Sequence, residues 1–275
     1  KPVMQVDADG TMVFTDDAGF RANQKKFARF GCVRKFIKEF NERVSVAFKE
    51  YDLAKELHKN AHIPHKYRDA RIKAYERIVA NGGVLYDTCM SYLRPSEFVK
   101  GNMKRYERVT AFKKPRLVND LGTEASLVAG TIISTLKAVM SEPIVVGDCR
   151  MSFISKPSKD ELHEAFRKLF NPAYSLEYIY FSDDASMLYM KDGELTRANV
   201  DISSCDASHT NAVFLTLRRM VAGSPIVEGL IDVLIKQLLT PLKVGRTVYT
   251  PLEPILYSGT VLTTIVNNIA NCFIA

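Results

Sequence analysis

Leu176 to Phe214 reads LEYIYFSDDASMLYMKDGELTRANVDISSCDASHTNAVF. The apolar run Leu176 to Phe181 is interrupted by Ser182, Asp183 and Asp184 and resumes from Ser186 to Met190, the pattern of two strands joined by a tight turn. Lys191, Asp192, Gly193 and Glu194 supply the next turn, and Leu195 to Ile202 a third strand. Val213, Leu217 and Met220 then share one side of a helix expected from about Ser208 to Met220. Strands in succession followed by a helix give an α+β unit.

Asp201 closes the third strand and Asp206 lies in the turn into the helix, so the two are placed to face one cleft. The spacing has a bland explanation, a helix-capping Asp206 beside a solvated Asp201. A second stretch weighs against it. YSGTVLTTIVNNIAN, Tyr257 to Asn271, carries Ser258, Gly259, Thr263 and Asn267 as SGxxxTxxxN. Thr263 and Asn267 are four apart and so share a helical face. Polar groups on an otherwise apolar helix need partners, because a buried unpaired one costs roughly 1 to 3 kcal/mol.

Together DISSCD (Asp201 to Asp206) and SGTVLTTIVN (Ser258 to Asn267) resemble motifs A and B of the RNA-dependent RNA polymerases of positive-strand RNA viruses. Upstream, RVTAFKKPRLVNDLG (Arg108 to Gly122) is similar to the basic motif F of that family, in the expected order. The resemblance covers roughly residues 105 to 275. It implies an α+β right-hand polymerase, with fingers over 1–175, a partial palm of antiparallel sheet and helices over 176–275, a return to the fingers over 225–250, and no thumb.

The resemblance also implies roles. Asp201 ligates Mg²⁺ or Mn²⁺, and Asp206 with Asn267 reads the ribose 2′ hydroxyl. Ser258 and Gly259 form a loop that senses nucleotide and template, and Thr263 supports Asp206. Lys113, Lys114 and Arg116 contact the triphosphate, where fixed cations offset developing charge. Carboxylate oxygens suit Mg²⁺, and two such ions activate the 3′ hydroxyl and stabilise the leaving pyrophosphate. The implied partners are an RNA template, a primer or nascent strand, nucleoside triphosphates and other replicase parts. The implied setting is the cytoplasm of an infected host cell, at a membrane-associated replication complex or free of it.

Motif C, the second acidic motif, has two readings. In most of the family it follows motif B, and here the chain stops first. The expectation is then an inactive fragment in which Asp183 and Asp184 form an ordinary acidic turn. In a minority of viral polymerases the order is permuted, with C ahead of A and B, and Asp183 and Asp184 then complete the metal-binding carboxylates.

Composition agrees with a folded chain: of 275 residues, 47% are apolar and 25% charged, so neither wholesale disorder nor a fibrous repeat is supported. No internal repeat, apolar span of membrane length or signal peptide is visible. Five scattered cysteines without a CxxC are expected to be reduced thiols. The net charge is +7, and from Arg21 to Arg77 there are 16 Lys and Arg against 7 Asp and Glu, so the excess is local. The spacing there predicts two or three basic amphipathic helices between Asn23 and Ala80, stopped at Asn81 to Gly83 and suited to template phosphates. A non-catalytic RNA-binding module using those helices alone is the competing reading.

Further expectations are a hairpin over Val3 to Phe14, an extended segment over Tyr106 to Val118, and helices over Glu124 to Val139, Lys159 to Phe170, Ser224 to Leu242 and Thr260 to Ala275. Val244 to Tyr249 is expected to be extended. Two motif matches are set aside. DADGT (Asp7 to Thr11) matches a phosphatase loop without its later partners and reads as a hairpin turn. His58, His62 and His65 have metal-like spacing, but Pro64 breaks the helix and no Cys or acidic ligand adjoins, so they read as solvated.

Overall fold

A computed structural model of the chain describes residues 4–6, 12–14, 31–94, 97–104, 116–154, 158–170, 174, 176–181, 184–191, 194–201, 205–209 and 211–274. Near the start, β1 (Met4–Val6) pairs antiparallel with β2 (Met12–Phe14), as the hairpin reading expects; the DADGT residues between them lie outside the described residues.

The basic region forms three helices, α1 (Gly31–Phe48), α2 (Leu53–His62) and α3 (Arg68–Ala80). In α1, Phe36, Phe40, Val44 and Phe48 recur every fourth residue and all are buried, leaving the charged residues outside. Asp52 caps α2 by accepting from the Lys55 N–H at 3.1 Å. Gly82 and Gly83 follow α3 with φ of 124° and 85°, a conformation that favours glycine and ends the helix. A short α4 (Tyr86–Ser91) leads to β3 (Val99–Lys104) and β4 (Arg116–Asp120).

The core is organised around α5 (Thr123–Ser141), in which Leu127, Ile132 and Leu136 are among ten buried positions. Next come β5 (Ile144–Val146) and β6 (Cys149–Phe153), then α6 (Lys159–Phe170). Ser158 and Glu161 start α6 with a reciprocal box: the Ser158 N–H donates to Glu161 Oε2 at 2.7 Å and the Glu161 N–H to Ser158 Oγ at 3.2 Å.

The remaining strands are β7 (Leu176–Phe181), β8 (Asp184–Lys191) and β9 (Glu194–Asp201), which complete a five-stranded sheet in the order β5-β6-β7-β8-β9. All its pairings are antiparallel except β6 with β7. Two residues separate β7 from β8 and two separate β8 from β9, so each hairpin register is set by its connection. Phe181 faces Asp184 in the first ladder, and Asp184 faces Asp201 in the second. Arg150 and Glu177, partners across the parallel pair, form a forked ion pair: Arg150 Nε donates to Glu177 Oε2 at 2.8 Å and Nη2 lies 2.7 Å from Oε1.

Beyond β9 the chain forms α7 (Cys205–Ser208), α8 (Asn211–Val221) and α9 (Pro225–Gln237). The helix expected from Ser208 is therefore split, with α7 ahead of it. The expected helix to Leu242 also stops early. Leu238, Leu239 and Thr240 close three-residue turns onto Ile235, Lys236 and Gln237, and Pro241, which has no N–H, follows. Leu242 then opens β10 (Leu242–Val244), which turns at Gly245 into β11 (Thr247–Tyr249). The segment expected to be simply extended is thus a hairpin. It joins the second sheet, of order β11-β10-β3-β4, through parallel pairing of β10 with β3. The helix expected from Thr260 begins at Thr263, as α10 (Thr263–Ile274).

The helices pack as one core with the five-stranded sheet: α1 lies against α5, α8 and β5, and α10 lies against α8, α7 and β7. The fold is α+β with mixed sheets. No described helix is long and apolar enough to cross a membrane.

Candidate functional site

Two segments sixty-one residues apart meet where α7 packs on α10. Asn267, one turn into α10, is 1% exposed, and its Nδ2 donates to Asp206 Oδ1 at 2.9 Å. Its Oδ1 lies 2.6 Å from His209 Nε2. A carboxylate accepts only, so the amide must present its N–H to Asp206 and its oxygen to His209. His209 must then carry its proton on Nε2. Burial holds the imidazole below its ordinary range, partly offset by the bond to Asn267 and the charge of Asp206.

Cys205 Sγ is 3.8 Å from the same Nε2, which invites comparison with a cysteine–histidine–asparagine hydrolase. The comparison fails chemically. A base for the thiol needs a nitrogen lone pair, and the Nε2 proton that serves Asn267 occupies that position. Cys89, also buried, is further from reactivity, since burial pushes its thiol up to about 11. Cys89, Cys149 and Cys205 carry no disulfide.

Asp201 and Asp184 are paired by backbone register on adjacent antiparallel strands. Only the backbone of these two is described, and Asp183 lies outside the described residues, as do Lys113 and Lys114. Arg116 is placed by its backbone at the start of β4, opposite Lys104.

Ser258 and Gly259 sit against β4. Ser258 forms a parallel bridge with Val118, two residues after Arg116. Gly259 has φ of 84°, and a Cβ there would come within 2.7 Å of Val118 Cγ1. Glycine is therefore required twice, by the left-handed backbone and by the close approach. Thr263 Oγ1 is 3.1 Å from Thr260 Oγ1; its described partner is that hydroxyl, and the described bond to Asp206 comes from Asn267.

His209 and Cys205 are site members that sequence reading passed over. The available signal was the i, i+3 spacing of Asp206 and His209, which places both at one helix end. Elsewhere, the rings of His58 and His62 lie tilted against each other with centroids 4.2 Å apart and meet Tyr75 edge-on, while His65 Nδ1 accepts from the Tyr67 N–H at 3.2 Å. These contacts use the imidazoles in packing and a turn. Among the described residues no three His, Cys, Asp or Glu side chains are grouped to hold a metal.

No family model matches the chain, and no curated protein matches it.

Proposed function

We propose that the chain carries the fingers and palm core of a viral RNA-directed RNA polymerase, a nucleotidyltransferase that copies an RNA template. The observation that carries the reading is the Asp206–Asn267 hydrogen bond. It joins the two stretches singled out by their residue types, through the two side chains assigned to ribose recognition. A ribose hydroxyl can donate to the carboxylate and accept from the amide, so an acceptor beside a donor suits the 2′ position.

The register of Asp184 with Asp201 favours the permuted motif order. Antiparallel partners have Cα atoms about 4.5–5.5 Å apart, a separation at which two carboxylates can serve neighbouring metal ions. Asp201, with Asp183 and Asp184, offers the hard oxygen donors that Mg²⁺ or Mn²⁺ takes, so the residue types fit the ion. Bound there, it would lower the barrier by activating the attacking hydroxyl and neutralising phosphate charge. The chain's own contributions are to orient the ribose through Asp206 and Asn267, to seat the Ser258–Gly259 turn on β4, and to hold the triphosphate with Lys113, Lys114 and Arg116. The basic face of α1 to α3 is assigned to template phosphates.

The test is nucleotide binding by the 275-residue chain, read by calorimetry with ATP and 2′-deoxyATP in Mn²⁺, beside primer extension on an RNA template. Asp201→Ala and Asp184→Ala should each remove metal-dependent ATP binding, whereas Asp206→Ala should keep binding and lose the ribose preference. RNA affinity insensitive to all three, with no nucleotide binding in the unmodified chain, would leave the RNA-binding module as the better account. Metal-dependent binding that survives Asp184→Ala would reject the permuted order alone.

A further inference from the structure

We propose that Tyr67, at the junction of α2 and α3, is a stacking platform for a base of single-stranded RNA, with Lys66, Arg68 and Arg71 taking the flanking phosphates. The inference deepens the assignment of the basic helices to RNA and rests on that assignment alone, which the polymerase and the RNA-binding module share.

The fold gives the Tyr67 side chain no visible work of its own. Every residue from Ile63 to Ala70 is exposed, and Tyr67 itself is 58% exposed. It stands at the N-cap of α3, where a short side-chain oxygen would accept from a free N–H, yet its side chain makes no capping bond. Its backbone is nevertheless fixed: the Tyr67 N–H donates to His65 Nδ1 at 3.2 Å, and its carbonyl accepts from the Arg71 N–H at 3.1 Å. Lys66 Nζ lies 4.7 Å from the ring centroid, and the His65 ring is 5.5 Å away at a tilt of 47°. An ordered backbone thus presents an exposed aromatic ring beside cations, the combination that single-strand sites use.

The charge around the ring is uncommitted. From Ile63 to Tyr75 there are four Lys and Arg against one Asp. Lys38, Arg43, Lys59 and Arg77, elsewhere on α1 to α3, each pair with a glutamate. Lys66, Arg68, Arg71 and Lys73 pair with no carboxylate among the described residues. Arg71 is one turn on from Tyr67 and so shares its side of the helix. Double-stranded RNA keeps its base faces stacked inside the helix and offers the ring nothing. A bilayer needs a broad apolar face, and α3 turns Arg68, Asp69, Lys73, Glu76 and Arg77 outward. An unstacked base with a phosphate on either side matches a solvent-facing ring among cations that the fold does not use.

The chain contains no tryptophan, so Tyr67→Trp in the full 275-residue chain sets a single fluorescent reporter at the site. Its emission should be quenched by a short oligo(A) strand and not by inorganic polyphosphate at equal charge. Anisotropy with the labelled strand should show Tyr67→Ala binding about tenfold more weakly, the worth of one stacked base, with an unchanged salt slope because no phosphate contact is lost. Tyr67→Phe should keep the affinity of the unmodified chain, and duplex RNA should bind Tyr67→Ala and the unmodified chain alike. Urea midpoints should agree across all three variants, since Tyr67 is exposed. Full oligo(A) affinity in Tyr67→Ala, or equal quenching by polyphosphate, overturns the platform and leaves the helices as a phosphate surface. Stronger quenching by vesicles of phosphatidylserine and phosphatidylcholine than by oligo(A) overturns it in favour of a membrane contact. An unmodified chain that binds no RNA overturns the assignment of the basic helices itself, a result read without any variant.

Discussion

Asn267 Nδ2 donates to Asp206 Oδ1 at 2.9 Å from a residue that is 1% exposed, so the bond joins α10 to a half-buried carboxylate on α7. Asn267→Ala should destabilise the fold by about 1–3 kcal/mol, the range for unmaking a buried bond and stranding its partners. Asn267→Asp should be worse, because it sets a second carboxylate against Asp206. Urea unfolding of the two variants checks the order. Asn267→Ala combined with Asp206→Ala should fall short of the sum of the single effects, as expected of residues in direct contact.

Gly259 is constrained by its backbone and by Val118. Gly259→Ala should cost about 1–2 kcal/mol from the left-handed backbone alone, with a further loss from the Cβ that meets Val118 Cγ1. Val118→Ala in the same chain should recover the second part and leave the first. Equal melting temperatures for Gly259→Ala with and without Val118→Ala would show that the turn does not rest on β4.

Much of this geometry was legible in local sequence, and the reasons are physical. The fourfold spacing of Phe36, Phe40, Val44 and Phe48 announces a buried helical face, and Lys191 to Glu194 announce a tight turn, which the structure narrows to a two-residue connection at 192–193. From that connection the partnership of Asp184 with Asp201 follows by counting outward along the two strands. The Asp206–Asn267 meeting was legible only through the resemblance of two distant stretches, since spacing says nothing about a contact between residues sixty-one apart. The parallel pairs β6–β7 and β10–β3 have no local signature, because their partners are separated by long connections. The early end of α9 was hidden because Leu238 and Leu239 continue the apolar pattern past the point where the backbone tightens.

Stability should fall on mild acidification, and His209 supplies the sign. Its folded pKa lies below the ordinary 6.5 chiefly through burial, with the Asn267 bond and Asp206 charge pulling the other way. The unfolded chain therefore binds the proton more readily. The histidine's contribution is complete above pH 6.5 and is lost as pH falls towards the folded value. Among the described residues, the groups in contact with the ring or acting on its charge include Asp206 and Cys205 on the preceding turn and Asn267 on α10. Urea midpoints between pH 5 and 8 should drop with falling pH in the unmodified chain, and this part of the slope should vanish in His209→Gln.

RNA binding should divide the basic residues of α1 to α3 into two groups. Arg43 is committed to the fold: it pairs with Glu39 and donates to the Glu142 and Pro143 carbonyls. Arg77 is likewise paired with Glu124 of α5. Lys66, Arg68 and Lys73 are exposed at the α2–α3 junction and along α3. Replacing these three with Gln should leave the unfolding midpoint nearly unchanged while flattening the dependence of log affinity on log salt. Each lost contact with a single strand is worth about 0.7 in that slope, so three should change it by about two. Arg77→Gln should do the reverse, with a measurable loss of stability and little change in slope. Fluorescence anisotropy with a labelled RNA oligonucleotide from 50 to 300 mM salt separates the two patterns; a slope unaltered by the triple substitution would move the template path off this face.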